Sequence, residues 1–296
     1  MKLAYKIMFF LSAALTVSAI IAVAILGLRF GVDFKGGSLM EIVFEKPRPA
    51  VSDLVVLVDA LPEVENISAN PIGDAGMILR INDIEESTHQ DILSAISKKF
   101  GTITENRFDS IGPTMGRELK SKSIQAIIIL LLAIVIYIAI VFRRITKILS
   151  PWAMGLAAII ALMHDLLIPM GVFALLGHYY GIEITAVFVA AALTILGYSL
   201  SDSVVVFDRV RENILRSGTS QDFGELVHRS VMQTLVRSLN TTFTTLLALV
   251  AIFFFGGESI KYFALSLIIG IVAGAYSSIF VASPMLVWLS GKKSQL

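Results

Sequence analysis

Asp202 is a carboxylate set inside an apolar run, Thr185 to Phe207, that is long enough to cross a bilayer; about 20 residues suffice for a spanning helix. An ionisable side chain at such a depth costs roughly 2.5–3.5 kcal/mol on insertion scales, and is tolerated when it faces a bundle interior, a wet cavity or a partner charge. Proton or ion handling is the chemistry this placement implies. Steps of three and four along a helix put Thr194, Tyr198 and Ser199 on the face of Asp202, a polar stripe whose hydroxyls can bond the carboxyl group or a file of water. The boundary pair Asp208-Arg209 lies six residues further on, about 9 Å of helix. A short carboxylate does not cover that distance to the interface.

His164 and Asp165 sit near the middle of a second apolar run, with Ala158, Ala161 and Leu162 on the face of Asp165. Small residues there permit close helix contact. Asp165 and His164 are candidates for the proton path, with a packed, hydrogen-bonded histidine and a purely structural acid as the plain alternatives. Arg237 opens another run, followed by Asn240, Thr241, Thr242, Thr244 and Thr245. An arginine near a helix end ordinarily snorkels to the headgroups. Its depth nevertheless matches that of Asp202, so a charge pair between them is geometrically allowed, and protonation of Asp202 would release it. Gln125 and Glu183 are weaker candidates. Gly270, Gly274 and Ser278 form a small-xxx-small ladder, read as a helix-packing face.

These residues need a membrane bundle to position them. The chain is 56% hydrophobic, above the usage of soluble domains. It has no cysteine, which excludes disulfides, thiol chemistry and cysteine metal sites. No phosphate-binding G-x-x-x-x-G-K-[ST] stretch is present. Neither a cofactor, a metal, a nucleic-acid partner nor enzymatic chemistry is expected. Six spans are predicted: Ile7–Leu28, Ile124–Phe142, Trp152–Leu176, Ile184–Phe207, Leu235–Phe255 and Ile260–Leu289. The first is too long for a signal-peptide core and is read as uncleaved. Arg143, Arg144, Lys147, Arg209, Arg211, Arg216, Arg229, Lys292 and Lys293 fall on one side, while Gly177–Glu183 and Gly256–Ser259 carry no Lys or Arg. The positive-inside rule then makes both termini cytoplasmic.

The division that follows is 1–28 as first span, 29–123 as an extracytoplasmic domain, 124–291 as a five-helix bundle and 292–296 as a cytoplasmic tail. Within the outer segment, Ser38–Glu45, Val64–Asn70, Met77–Ile81 and Ile103–Phe108 read as strands, and Val51–Leu61 and Glu85–Phe100 as helices. Ser52 is a candidate N-cap, and 71–76 a turn. The order βαββαβ predicts a small α+β ferredoxin-like domain. Within the bundle, 208–234 is amphipathic. Gly218 breaks it, Thr219 with Asp222 suggests a capping box, and Phe223, Leu226, Val227 and Val231 form a face expected to lie on the inner membrane surface, with a partner-docking surface as the alternative. Directly after the first span, Gly31, Asp33, Phe34, Gly36 and Gly37 mark a tight backbone path rather than a phosphate loop.

Four stretches of this sequence resemble one family. Gly31-Val32-Asp33-Phe34-Lys35-Gly36-Gly37 is similar to its D-F-x-G-G signature, and 112–119 to the segment leading into its second span. His164-Asp165 matches its H-D pair. The run from Gly197 to Arg209 resembles G-Y-S-x-N-D-[ST]-x-V-V-x-D-R, with Ser201 where Asn is usual. The family is SecF, of the bacterial protein-export machinery, within the resistance-nodulation-division superfamily. The resemblance covers essentially the whole chain. It implies a bacterial inner-membrane protein that works with SecD and docks on the SecYEG channel, with YajC as a further partner and an unfolded preprotein as cargo. It implies use of the proton-motive force, with Asp202 binding the proton and Arg237 as its partner in the membrane. A passive scaffold is the alternative, in which carboxamide replacement of Asp202 would be tolerated. An intramembrane aspartyl protease would need Asp165 and Asp202 to share a proton, but Tyr198–Ser201 precede Asp202 where such proteases carry G-x-G.

Overall fold

The computed structural model describes residues 3–45, 47–143, 150–217 and 222–290. In chain order the elements are α1 Leu3–Leu26, α2 Val32–Lys35, β1 Gly37–Phe44, α3 Val51–Asp59, β2 Ser68–Ile72, β3 Gly76–Ile81, α4 Glu86–Phe100, β4 Ile103–Ile111, α5 Pro113–Val141, α6 Pro151–Tyr180, α7 Ala186–Ser217, α8 Phe223–Phe255 and α9 Glu258–Ser277. A wide π-turn, Ser278–Ala282, joins α9 to α10, Ser283–Leu289. The chain divides into two units: Phe30–Ile124, and Met1–Arg29 with Gln125–Leu296.

Among the described residues six helices are long and apolar enough to cross a membrane. The chain is a multi-pass membrane protein. Burial ranks the spans: α6, α7 and the α9–α10 span have 50, 44 and 61% of their apolar windows buried, against 11–17% for α1, α5 and α8. The first three therefore form the centre, where polar groups must find protein partners. Pro151 starts α6 at a position where a missing N–H is harmless. Gly181, left-handed at φ 70°, ends it: the Gly181 N–H donates to the Gly177 carbonyl at 3.2 Å and the Ile182 N–H to that of Leu176 at 3.4 Å. Gly171 lets α1 approach, since a Cβ there would lie 2.6 Å from the Ala19 Cα.

The amphipathic stretch 208–234 is not a separate surface helix. α7 continues to Ser217 and α8 begins at Phe223, so the two spans extend as a pair. Phe223, Leu226 and Val227 are buried with Phe207, Val210 and Ile214 in the core of the bundle, and Val231 packs with Tyr5, Val206 and Ile279. The apolar face is satisfied by neighbouring helices rather than by lipid. Asp222 caps α8, its carboxylate accepting from the Gly224 N–H at 3.1 Å; the expected break at Gly218 and the capping role of Thr219 fall outside the described residues.

In the other unit an antiparallel sheet of order β2-β3-β1-β4 buries Met40, Ile42, Met77 and Leu79 with Leu54 and Val58 of α3 and Ile92 and Ile96 of α4. Pro71 and Ile72, expected in the turn, are paired in β2. Proline is admitted there because β2 is an edge strand. Ser52 is not the cap of α3; Ala50 holds that position without a side-chain bond.

Candidate functional site

The central spans bring His164 and Asp165 of α6 and Asp202 of α7 onto three consecutive residues, Tyr276 and Ser277 at the end of α9 and Ser278 at the start of the π-turn. Asp165 is fully buried. Its Oδ1 lies 2.8 Å from His164 Nδ1. The Ser199 hydroxyl of α7 and the Ser277 hydroxyl of α9 both donate to its Oδ2, Ser277 at 2.8 Å. His164 Nε2 and the Tyr276 hydroxyl are 2.6 Å apart, with the rings edge to face at 5.1 Å. The Ser278 hydroxyl donates to Asp202 Oδ2 at 2.6 Å. Asp202 itself is 8% exposed. A continuous polar line thus runs Tyr276–His164–Asp165, with Ser199 and Ser277 attached, and Asp202 is held one residue further along the chain, at the first residue of the π-turn.

The small-residue ladder explains how α9 comes so close. A Cβ on Gly270 would sit 2.3 Å from Ile195, and one on Gly274 would sit 3.1 Å from Ser199 Cβ and 3.5 Å from Asp165 Oδ2. The ladder is a packing face, as its spacing indicates. Ser278 also binds Asp202, which spacing alone does not disclose; the available signal is the polar triplet Tyr276-Ser277-Ser278 inside an apolar run. Pro169 adds a backbone effect. It lies inside α6 and lacks the N–H that would bond the carbonyl of Asp165.

The stripe predicted around Asp202 does not converge on it. Thr194 is exposed and donates to its own Ala190 carbonyl at 2.8 Å, the usual bond of a helical threonine. Ser199 turns to Asp165. The buried Tyr198 hydroxyl has no partner among the described residues. Nor does an ion pair join Asp202 to Arg237 among them. Asp202 faces inward to α9, whereas Arg237 is on the exposed side of α8. There it lines a cavity of about 620 Å³ with Tyr137, Asp208, Arg209, Glu212 and Gln233.

The signature loop is architectural within the α+β unit. Gly31 precedes α2, its carbonyl accepting from Phe34 and Lys35 at 3.1 and 3.2 Å. Asp33 is in the first turn of α2, and Phe34 is buried. Gly36 and Gly37 have φ of 81° and 125°; Cβ atoms there would lie 2.6 Å from Pro113 Cα and 2.7 Å from the Ile81 carbonyl oxygen. Gly37→Ala is expected to destabilise this unit by about 2–5 kcal/mol, from the left-handed backbone and the overpacking together. Faster amide exchange in β1 and β3 of the full chain would register it.

The family described as protein export membrane protein SecD/SecF, C-terminal, matches residues 92–292, and the SecD/SecF GG motif matches residues 21–47. The chain belongs to the SecD/SecF protein-export family. Protein translocase subunit SecF of Thermobaculum terrenum is 41% identical over 94% of this chain and 90% of its own length. The same subunit of Anaerolinea thermophila is 38% identical over 96 and 92%. Among solved structures, SecDF, a translocon-associated membrane protein from Thermus thermophilus, superposes with a TM-score of 0.82 at 30% identity over 98% of this chain. The present chain spans 39% of that SecDF chain. Gly31, Gly36 and Gly37 of the signature loop fall inside the GG motif, and the Asp165 and Asp202 clusters inside the SecD/SecF match.

Proposed function

We propose that this chain is the SecF-type subunit of the Sec protein-export machinery, using the proton-motive force with SecD to promote late steps of preprotein movement across the bacterial cytoplasmic membrane. The observation that carries the reading is the buried Asp202, held by one serine at the centre of a six-span bundle in a chain 41% identical to a protein translocase subunit SecF. A carboxylate is retained at such a depth for function, because an apolar residue would be cheaper. Tyr198, Ser203, Ser238 and Thr242 supply buried hydroxyls without protein partners among the described residues. Buried polar groups are rarely left so, which supports a hydrated route for protons. Arg237, on the exposed face, is the charge that a SecD half would bring into the path.

In this reading both termini are cytoplasmic, the α+β unit is outside, and its strand order β2-β3-β1-β4 supports a ferredoxin-like fold. The SecYEG channel is the docking partner and the translocating preprotein the cargo. One charge crossing 100 mV releases about 2.3 kcal/mol, enough to shift a two-state equilibrium roughly fiftyfold. The test is export of a secreted precursor into inverted vesicles, with and without a protonophore. Vesicles carrying this chain and SecD should lose their stimulation when the gradient collapses. Equal export in both conditions would leave only the scaffold role.

Asp165 has a specific observation in favour of structural work. Two serine hydroxyls and the His164 ring hold its carboxylate, so its first duty is to tie α6, α7 and α9 together.

A further inference from the structure

Tyr276, Ser277 and Ser278 each bond an acid–base residue of another span, and the helix changes form at Ser278, the last of them. The cause of that change is local. Pro284 has no N–H for the carbonyl of Phe280, and its ring would meet that carbonyl in a regular α-helix. The chain accommodates this with the π-turn Ser278–Ala282, and the Ser283 hydroxyl donates to the Ser278 carbonyl at 2.8 Å. Wide turns of this kind hold a spare residue and occur often at functional sites.

Ser278 therefore has two ties to rearranging groups. Its carbonyl belongs to the π-turn. Its hydroxyl lies 2.6 Å from Asp202 Oδ2 and 3.2 Å from the carbonyl of Ala275 in its own helix. A charged carboxylate is the stronger acceptor, since bonds to ionised groups are about twice as strong as neutral ones. When Asp202 takes a proton, the balance between these acceptors shifts toward the helix.

Resting on the proposed proton-driven function, we infer that Ser278 is a positioning residue that reports the charge of Asp202 to the π-turn, so that the α9–α10 junction is the element the proton moves. With Asp202 ionised, the hydroxyl is held across to α7 and the wide turn is fixed at Ser278–Ala282. With Asp202 neutral, the hydroxyl returns to Ala275, and the spare residue of the turn is free to shift along the helix, re-aiming α10.

The titratable and charged groups on the surrounding elements have their own arrangements. His164 and Asp165 of α6 bond Tyr276 and Ser277 of α9. Tyr5 of α1 bonds His228 of α8 at 2.9 Å. Arg237 of α8 and Asp208 and Arg209 of α7 line the cavity. Ser278 is the described group that bonds the Asp202 carboxylate.

The chain lacks cysteine, so two introduced cysteines can be labelled alone. Nitroxides at Trp152→Cys and Trp288→Cys, both exposed sites, report the distance from α6 to α10 in liposomes holding the SecD complex. The distance distribution should differ between alkaline and mildly acidic pH. Asp202→Asn should be fixed in the acidic distribution at every pH. Ser278→Ala should lose the pH response, and Ser278→Thr, which keeps the hydroxyl, should restore it. Should Ser278→Ala fail to assemble, Ser283→Ala, which removes the second tie, is expected to blunt the response instead. A Ser278→Ala complex, or in its place a Ser283→Ala complex, that responds like the parent overturns the inference. So does a parent complex with no response. Export measured alongside separates the two levels: full export by Asp202→Asn defeats the functional reading, whereas lost export in Asp202→Asn with normal pH response and export in Ser278→Ala defeats only the role of Ser278.

Discussion

Cells whose single copy carries Asp202→Asn are expected to export a secreted precursor no better than cells lacking the chain, while the protein accumulates and associates with SecD normally. The expectation rests on how little the substitution disturbs. Asparagine has the size of aspartate, and like the protonated acid it offers the Ser278 hydroxyl, 2.6 Å from Asp202 Oδ2, a neutral acceptor in place of a charged one. Asp202 makes no ion pair among the described residues that asparagine would break. What disappears is titration. A normal amount of inactive complex therefore assigns the loss to proton binding, and normal export would assign the buried acid to packing.

Asp165 should behave in the opposite sense. Asp165→Leu is expected to lower the stability of the bundle by about 3–5 kcal/mol, because removing one partner leaves the rest of a buried network unpaired. The groups left behind are His164, Ser199 and Ser277. Asp165→Asn should lose no more than about 1 kcal/mol, the scale of one ordinary hydrogen bond. Its amide oxygen can take both serines, and its NH₂ can donate to His164 once that ring carries its proton on Nε2 toward Tyr276. The melting temperature of the purified complex in detergent distinguishes the two variants. Similar melting for leucine and aspartate would remove Asp165 from the structural account.

The sequence made the buried acids legible because a charge in an apolar run needs no context to be noticed. Spans were equally plain, although α7 and α8 continue well past their apolar windows, where packing rather than lipid holds them. Partners were harder to foresee. Helical spacing puts Ser199 on the face of Asp202, yet its hydroxyl selects Asp165 across the bundle. Arg237 matches the depth of Asp202 but not its direction, since depth is read from position and direction only from rotation about the helix axis. Ser278 was hidden by its size: a serine in a small-residue ladder is already explained by packing. The glycine loop gave up its location but not its reason, which lies in Pro113 and Ile81, distant in sequence from Gly36 and Gly37.

The exposed side of α8 has a bearing on how long a newly made copy survives. Thr241 and Thr244 return their hydroxyls to the carbonyls of Arg237 and Asn240 at 3.0 and 2.9 Å, so lipid tolerates them. The side chains of Arg237 and Asn240 have no such bond among the described residues, and both are exposed. A copy without its counterpart must keep these groups against hydrocarbon or drag water to them. That cost destabilises the lone copy, and a less stable copy is more open to proteolysis. Abundance would then follow the counterpart: in pulse-chase, the half-life should shorten severalfold when SecD is withheld and recover with Arg237→Leu and Asn240→Leu together.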